Sequence, residues 1–265
     1  MQRIAILALA ALAACSSAPP KPTPAVVAEL APTGKLRAAI NFGNPVLASK
    51  DPATGEARGV SVDLSRELAN RLGVPLEIVP FAAAGRVVEA VKTRGWDVAY
   101  VAIDPLRAVD MIQSPAYVVI EGSYLVPADS PIRSNAEVDR EGIRIVVGKG
   151  SAYDLFLTRE IKRAMLVRAP TSPEVVNMMV AEKLEVSAGV KQQLEADAKR
   201  VPGVRLLPGR FMTINQAMAV PKGRDAGARY VRGFIEEMKA SGFVSQALAR
   251  HGVEGAAVAG PDDPR

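Results

Sequence analysis

The chain has 265 residues, 49% hydrophobic and 23% charged, enough for one large domain or two small ones. Its one cysteine excludes an intramolecular disulfide and a thiolate metal cluster, and its one histidine, His251, excludes a multi-histidine zinc site. The net charge of +5 comes without a run of five like charges and without basic–aromatic interleaving, so a nucleic-acid partner is not expected.

Arg3 is followed by a wholly apolar stretch over residues 4–14. That is too short to cross a bilayer as a stable helix and fits the core of a signal peptide. It ends in Leu12-Ala13-Ala14-Cys15, which resembles the bacterial lipobox, a signal in which the cysteine is lipidated and becomes the mature N-terminus. Ordinary cleavage after Ala18 is the alternative. In either case the chain is exported, and the lipobox reading adds a lipid anchor to a membrane. Residues 16–32 hold five prolines and read as an extended, mobile tether.

A strand is expected over residues 36–40. Val60, Leu64, Leu68 and Leu72 then fall on one helical face, which Gly73 ends. A strand over 76–80, a helix over 85–94 and a strand over 97–101 follow. A second unit begins near residue 130, with a strand over 143–147 and a helix from about Ala152. Val175, Val176, Met179, Val180 and Leu184 mark another helical face, and strands are expected at 186–188 and 204–207. Alternation of this kind predicts an α/β fold with mostly parallel sheets covered by helices.

Two β-rich runs, over 117–126 and 212–220, end in Val126-Pro127 and Val220-Pro221. They read as crossovers that leave the first unit and return to it. The expected architecture is two lobes joined by two strands, with a cleft between them. Residues 34–127 plus 220–253 form the first lobe, 128–219 the second and 254–265 a flexible tail. In open α/β sheets ligands sit beyond the carboxyl ends of the strands, which places the site at the lobe interface.

The segments GKLRAAINFG, ATGEARGVSVDLSRELANRLG, RGWDVAYVAIDPLRAVDMIQSPAY and VVGKGSAYDLFL, in that order, resemble the bacterial family 3 extracellular solute-binding proteins. These are periplasmic binding components of polar-amino-acid ABC transporters. The resemblance runs from about Gly34 to His251. It implies a type II periplasmic-binding-protein-like fold. It also implies capture of a small polar, carboxylate-bearing solute by lobe closure and delivery to an ABC transporter permease. A monomer without cofactor or metal is expected, and no P-loop is present, so ATP hydrolysis is left to the transporter.

The resemblance also implies a site. Asp104-Pro105-Leu106-Arg107 is similar to the family's Thr-Pro-x-Arg segment at a helix start, where the arginine grips the ligand's α-carboxylate. A guanidinium suits that task because it is bidentate and always charged. The plain alternative is a surface arginine paired with Asp104 or Asp110. Asn41 stands where the family has an acid, Phe42 where it has an aromatic lid, and Asn44 beside them. Core packing for Phe42 and a turn at Asn44-Pro45 are the alternatives. Ala102, Ile103 and Asp104 would line the cleft, with Asp104 also a candidate N-cap for a helix from Pro105.

Gly150, Ser151 and Ala152 match the second lobe's Gly-Thr/Ser-Thr segment, where N–H groups at a helix start hold a carboxylate. Ser151 also reads as a plain helix cap. Val190 stands where amino-acid binders often place an Asp for the ligand's ammonium. With Asn41 and Val190 both neutral, either Glu121 or Asp104 substitutes, or the solute has no α-ammonium. Two other functions remain open. One is an exported dehydratase of this fold that acts on a cyclohexadienyl carboxylate, with Glu121 or Asp154 as general acid. The other is a ligand-sensing or scaffold protein.

Overall fold

The computed structural model describes residues 21–262. The readings made for residues 4–14 and Cys15 lie outside the described residues. The elements run α1 (Pro24–Leu30), β1 (Leu36–Asn41), a small hairpin of β2 (Ser49–Lys50) and β3 (Ala57–Arg58), α2 (Val60–Leu72), β4 (Leu76–Phe81), α3 (Ala84–Ala90) and β5 (Val98–Ala102). A long strand, β6 (Met111–Pro127), leads to β7 (Arg144–Gly148), α4 (Ala152–Glu160), β8 (Met165–Ala169), α5 (Val175–Ala181), β9 (Val186–Val190), α6 (Lys191–Arg200) and β10 (Val204–Leu206). The chain returns through β11 (Met212–Pro221) to α7 (Asp225–Ala240), α8 (Phe243–Arg250) and β12 (Ala257–Val258).

The main strand order is β4-β1-β5-β11-β6-β9-β7-β8. Two parallel triplets, β4-β1-β5 and β9-β7-β8, form the two lobes. The antiparallel pair β6 and β11 joins them. Met111 to Gly122 of β6 pair with β11, whereas Gly122 to Leu125 pair with β9, so one strand belongs to both lobes. The β6–β11 register shifts at Gln216/Ala217 and again before Ala219. Such irregularities increase local twist and re-aim side chains.

Alternation along the strands explains how helices cover both faces. Ala38 and Ile40 of β1 pack with Leu64 and Leu68 of α2, while Ala39 packs with Val87 of α3. In the second lobe Ile145 and Val147 pack with Leu157 of α4, and Val146 with Val175 and Val176. Side chains two apart share a face, so a strand buried on both sides is apolar at every position, as β5 and β9 are. Gly73 ends α2 at φ 68°, a left-handed conformation that glycine adopts without a Cβ penalty.

Three expectations give way, and one strand appears that was not expected. The tether contains α1: Thr23 accepts from Val26 N–H, Pro24 takes the first helical turn, and Val26 and Leu30 are buried. Leu30 packs on Gly227 of α7, and Glu29 Oε2 accepts from Gly227 N–H at 2.7 Å. The tail is tied down in part, because β12 pairs with Val118 and Val119 of β6 and Lys239 donates to the Gly260 carbonyl at 2.7 Å. No α-helix follows Pro105. There the chain makes a single 3-10 turn at Arg107–Val109, because Ile103, Leu106 and Val109 face solvent and offer no apolar face to bury. Strand β8 was not expected; its partner β7 supplies the pairing that its mixed MLVRA sequence does not advertise.

Candidate functional site

A pocket of ≈ 520 Å³, counting its open mouth, lies where the carboxyl ends of β1, β5 and β9 meet the start of α4 and the middle of β11. Asn41 and Ala102 come to it from the first lobe, Ser151, Ala152 and Val190 from the second, and Gln216 from the connecting strand. The carboxyl ends face the cleft because strands that run parallel end at one edge of the sheet, where each following loop begins.

Among the described residues Arg107 is the one ionic side chain in the wall. It is 2% exposed. Its Nη1 donates to the Ala102 carbonyl at 3.0 Å in its own lobe, and its Nη2 to the Gly150 carbonyl at 3.0 Å across the cleft. Its Nε is buried without a partner. Burial pushes the guanidinium down to about 10, against a smaller opposing pull from Asp104, so at neutral pH it still carries its charge. A buried cation held by carbonyl oxygens alone is incompletely compensated.

Asn41 accepts from Gly43 N–H through Oδ1 at 3.0 Å in an Asx turn, and both residues line the pocket. Asn44 lines the pocket, and its Oδ1 is buried with no partner. Ser151 caps α4, accepting from Asp154 N–H at 3.0 Å, and lines the pocket as well. Gly150 donates its N–H to Asp154 Oδ2 at 2.8 Å. The N–H groups of Ala152 and Tyr153 have no acceptor among the described residues.

The lobes touch closely here. A Cβ on Gly150, which sits at φ +70°, would fall 2.7 Å from Gly85 Cα at the start of α3. Glycine is required for that approach.

Three expected residues are placed elsewhere. Phe42 packs against the main core beneath Lys50 Nζ, 5.5 Å from the ring centroid. Ile103 is 48% exposed and turns outward. Asp104 accepts from Leu106 N–H at 2.9 Å and pairs with Arg159 at 3.0 Å, outside the pocket wall. Glu121 is held by Lys191 and Arg210, which keep its carboxyl below the usual range. Asp154 pairs with Arg168.

Sequence reasoning missed Tyr100, Ser172 and Gln216. Ser172 was within reach, since Thr171-Ser172-Pro173 carries the cap and first-turn proline of a helix start. Its Oγ accepts from Tyr153 OH at 2.8 Å. Gln216 gave no signal, because facing the pocket depends on the register of β11 between β5 and β6.

Residues 36–254 match the model of the bacterial extracellular solute-binding proteins, family 3. Among solved structures, the chain resembles an arginine-binding protein mutant from T. maritima at 20% identity, covering 86% of this chain and 100% of that one, with a TM-score of 0.74. It resembles a solute receptor for L-cysteine of Neisseria gonorrhoeae at 25% identity, with 85% and 92% coverage and a TM-score of 0.74. An ancestral amino acid-binding protein, a precursor of cyclohexadienyl dehydratase, is similar at 21% identity, with 84% and 98% coverage and a TM-score of 0.72. No curated protein matches.

Proposed function

The chain belongs to the bacterial extracellular solute-binding proteins of family 3, and from that premise we propose that it captures a small carboxylate-bearing solute between its lobes and passes it to an ABC transporter permease. One observation carries the proposal: Arg107 is buried between the lobes with a carbonyl partner on each side and its Nε–H without a partner among the described residues. Closure on a solute is a population shift driven by contacts made to both lobes at once. In this reading residues 34–127 plus 220–253 move against residues 128–219, with β6 and β11 as the connecting strands. Cys15 holds the protein at a membrane through its lipid. Solutes described for the similar structures include arginine and L-cysteine, so amino acids belong in any first screen.

The dehydratase alternative needs a general acid in the pocket. Its candidates, Glu121 and Asp154, are held in ion pairs outside the wall, so the binding reading is preferred. A thermal-shift screen of amino acids, oxo acids, dicarboxylates, aromatic acids and polyamines tests the proposal. A solute at a hundredfold excess over its Kd adds about 2.7 kcal/mol of stability. The shift should disappear in Arg107→Ala. A hit that survives Arg107→Ala removes Arg107 from the site. Conversion of prephenate or arogenate would replace the binding reading with an enzymatic one.

A further inference from the structure

We propose that the solute of this cleft is a small organic anion without an ammonium group, of the 2-oxo or 2-hydroxy acid class, rather than a zwitterionic amino acid. The inference rests on the solute-binding reading and deepens it.

Charge carries the argument. Among the described residues the pocket wall holds one cation, Arg107, and no Asp or Glu. The carboxylates offered as substitutes have other partners. Asp104 is bonded to Arg159 and to Leu106 N–H, Glu121 to Lys191 and Arg210, and Asp154 to Arg168 and to Gly150 N–H. Asp104 is close enough to act on Arg107, but it is already shared with Arg159, so the two guanidiniums have one carboxylate between them. A bound monoanion brings the pocket to neutrality. A bound zwitterion leaves it at +1, with a desolvated ammonium facing a buried guanidinium. Such an ammonium would have only neutral oxygens to accept from it, and buried charge of that kind is poorly compensated.

The spare hydrogen-bonding groups point the same way. Arg107 Nε is a donor buried without an acceptor. The Ala152 and Tyr153 N–H groups at the first turn of the nine-residue α4 lack acceptors among the described residues and sit at the positive end of that helix. The Ser172 oxygen accepts from Tyr153 OH, which leaves its own hydrogen to donate. The amides of Asn44 and Gln216 complete the wall, and the Gln216 side chain has no hydrogen bond among the described residues. Their NH2 groups can donate to a 2-oxo or 2-hydroxy oxygen, and the unpartnered Asn44 Oδ1 can accept from a 2-hydroxy group, without adding charge.

The test is calorimetric titration of the purified protein with the common amino acids, each beside its 2-oxo and 2-hydroxy counterpart. Within every set that binds, the oxo or hydroxy acid should bind at least about tenfold more tightly than the amino acid, the loss expected when a charged group is desolvated unpaired. An amino acid that binds as tightly as its counterparts overturns the inference and leaves the solute-binding reading standing. Absence of heat across the whole panel overturns carboxylate capture itself, and the inference with it. Gln216→Glu supplies the second arm, since it adds one negative charge at a wall position whose side chain has no partner to lose. It should weaken the oxo acid and strengthen the amino acid, moving their ratio by at least about tenfold toward the amino acid. An unchanged ratio in a variant that unfolds at the parent's temperature refutes the charge argument.

Discussion

Two buried charges stand at opposite ends of one strand and meet opposite fates. Asp97, just before β5, is fully buried. It accepts from Arg37 N–H at 3.1 Å, from Arg37 Nε and Nη2 at 2.9 Å, and from Arg224 Nη1 at 2.9 Å. Its lone pairs are engaged by two guanidiniums from β1 and the entry to α7. Arg107, beyond the other end of β5, is equally buried yet meets two carbonyls and no carboxylate contact. The difference separates a charge that ties elements together from one whose donors are left open. At the amino end of the strand a buried charge is fully paired and ties three elements together. At the carboxyl end, the edge where α/β sheets take ligands, the charge keeps an open valence.

Removing Asp97 should have the largest effect on folding. Asp97→Ala strands two guanidiniums and is expected to cost about 3–5 kcal/mol in urea unfolding. Asp97→Asn, which keeps an acceptor, should cost less. Arg107→Met should do the reverse: unfolding stability holds or rises by about 1 kcal/mol, because a poorly compensated ion becomes an apolar side chain. Comparable losses of stability for Asp97→Ala and Arg107→Met would erase the contrast between the two ends.

A smaller effect is expected at the lobe contact. Gly150→Ala places a methyl 2.7 Å from Gly85 Cα and a side chain at positive φ. Stability should fall by about 1 kcal/mol from the backbone alone. Solute affinity should fall further, because the closed form carries the clash; small-angle scattering with solute present would show the more open shape.

The smallest effect is that of pH near neutrality. Arg107 has a folded-state pKa pushed down to about 10 by burial. A base with a lowered folded value leaves stability unchanged while both states are protonated, and adds to the stability of the free protein as pH rises beyond about 10. Affinity for a carboxylate should therefore be flat between about pH 6 and 9 and decline above about 10, where binding must first restore the proton. A steep change near pH 7 in titration calorimetry would assign the charge to another group.

The legibility of the site followed the range of the interactions that make it. Arg107, Ser151 and Ala152 sit in segments whose local chemistry is visible in the chain, an Asp-Pro turn and a Gly-Ser helix start. Those three, like Asn41, Asn44, Ala102 and Val190, were singled out as site residues by the resemblance, which matches positions along the chain. Ile103 and Phe42 were placed by the family's cleft-lining segment and aromatic lid, but their side-chain directions depend on what lies above and below the strand. The same holds for α1, whose Thr23-Pro24 start was legible although its docking on α7 was not.

The amino-acid sequence by itself determined the alternation of strands and helices, the two lobes and the returning crossover, because periodicity, caps and turns are properties of neighbouring residues; the arginine at the cleft came from the resemblance to the family's Thr-Pro-x-Arg segment. The tertiary structure alone decided that Arg107 reaches the Gly150 carbonyl, that Gln216 faces the pocket, and that Asp104, Glu121 and Asp154 are all engaged elsewhere. Those are pairings between segments tens of residues apart, set by strand register and by the competition of each carboxylate for the nearest cation. Neither leaves a trace in local sequence.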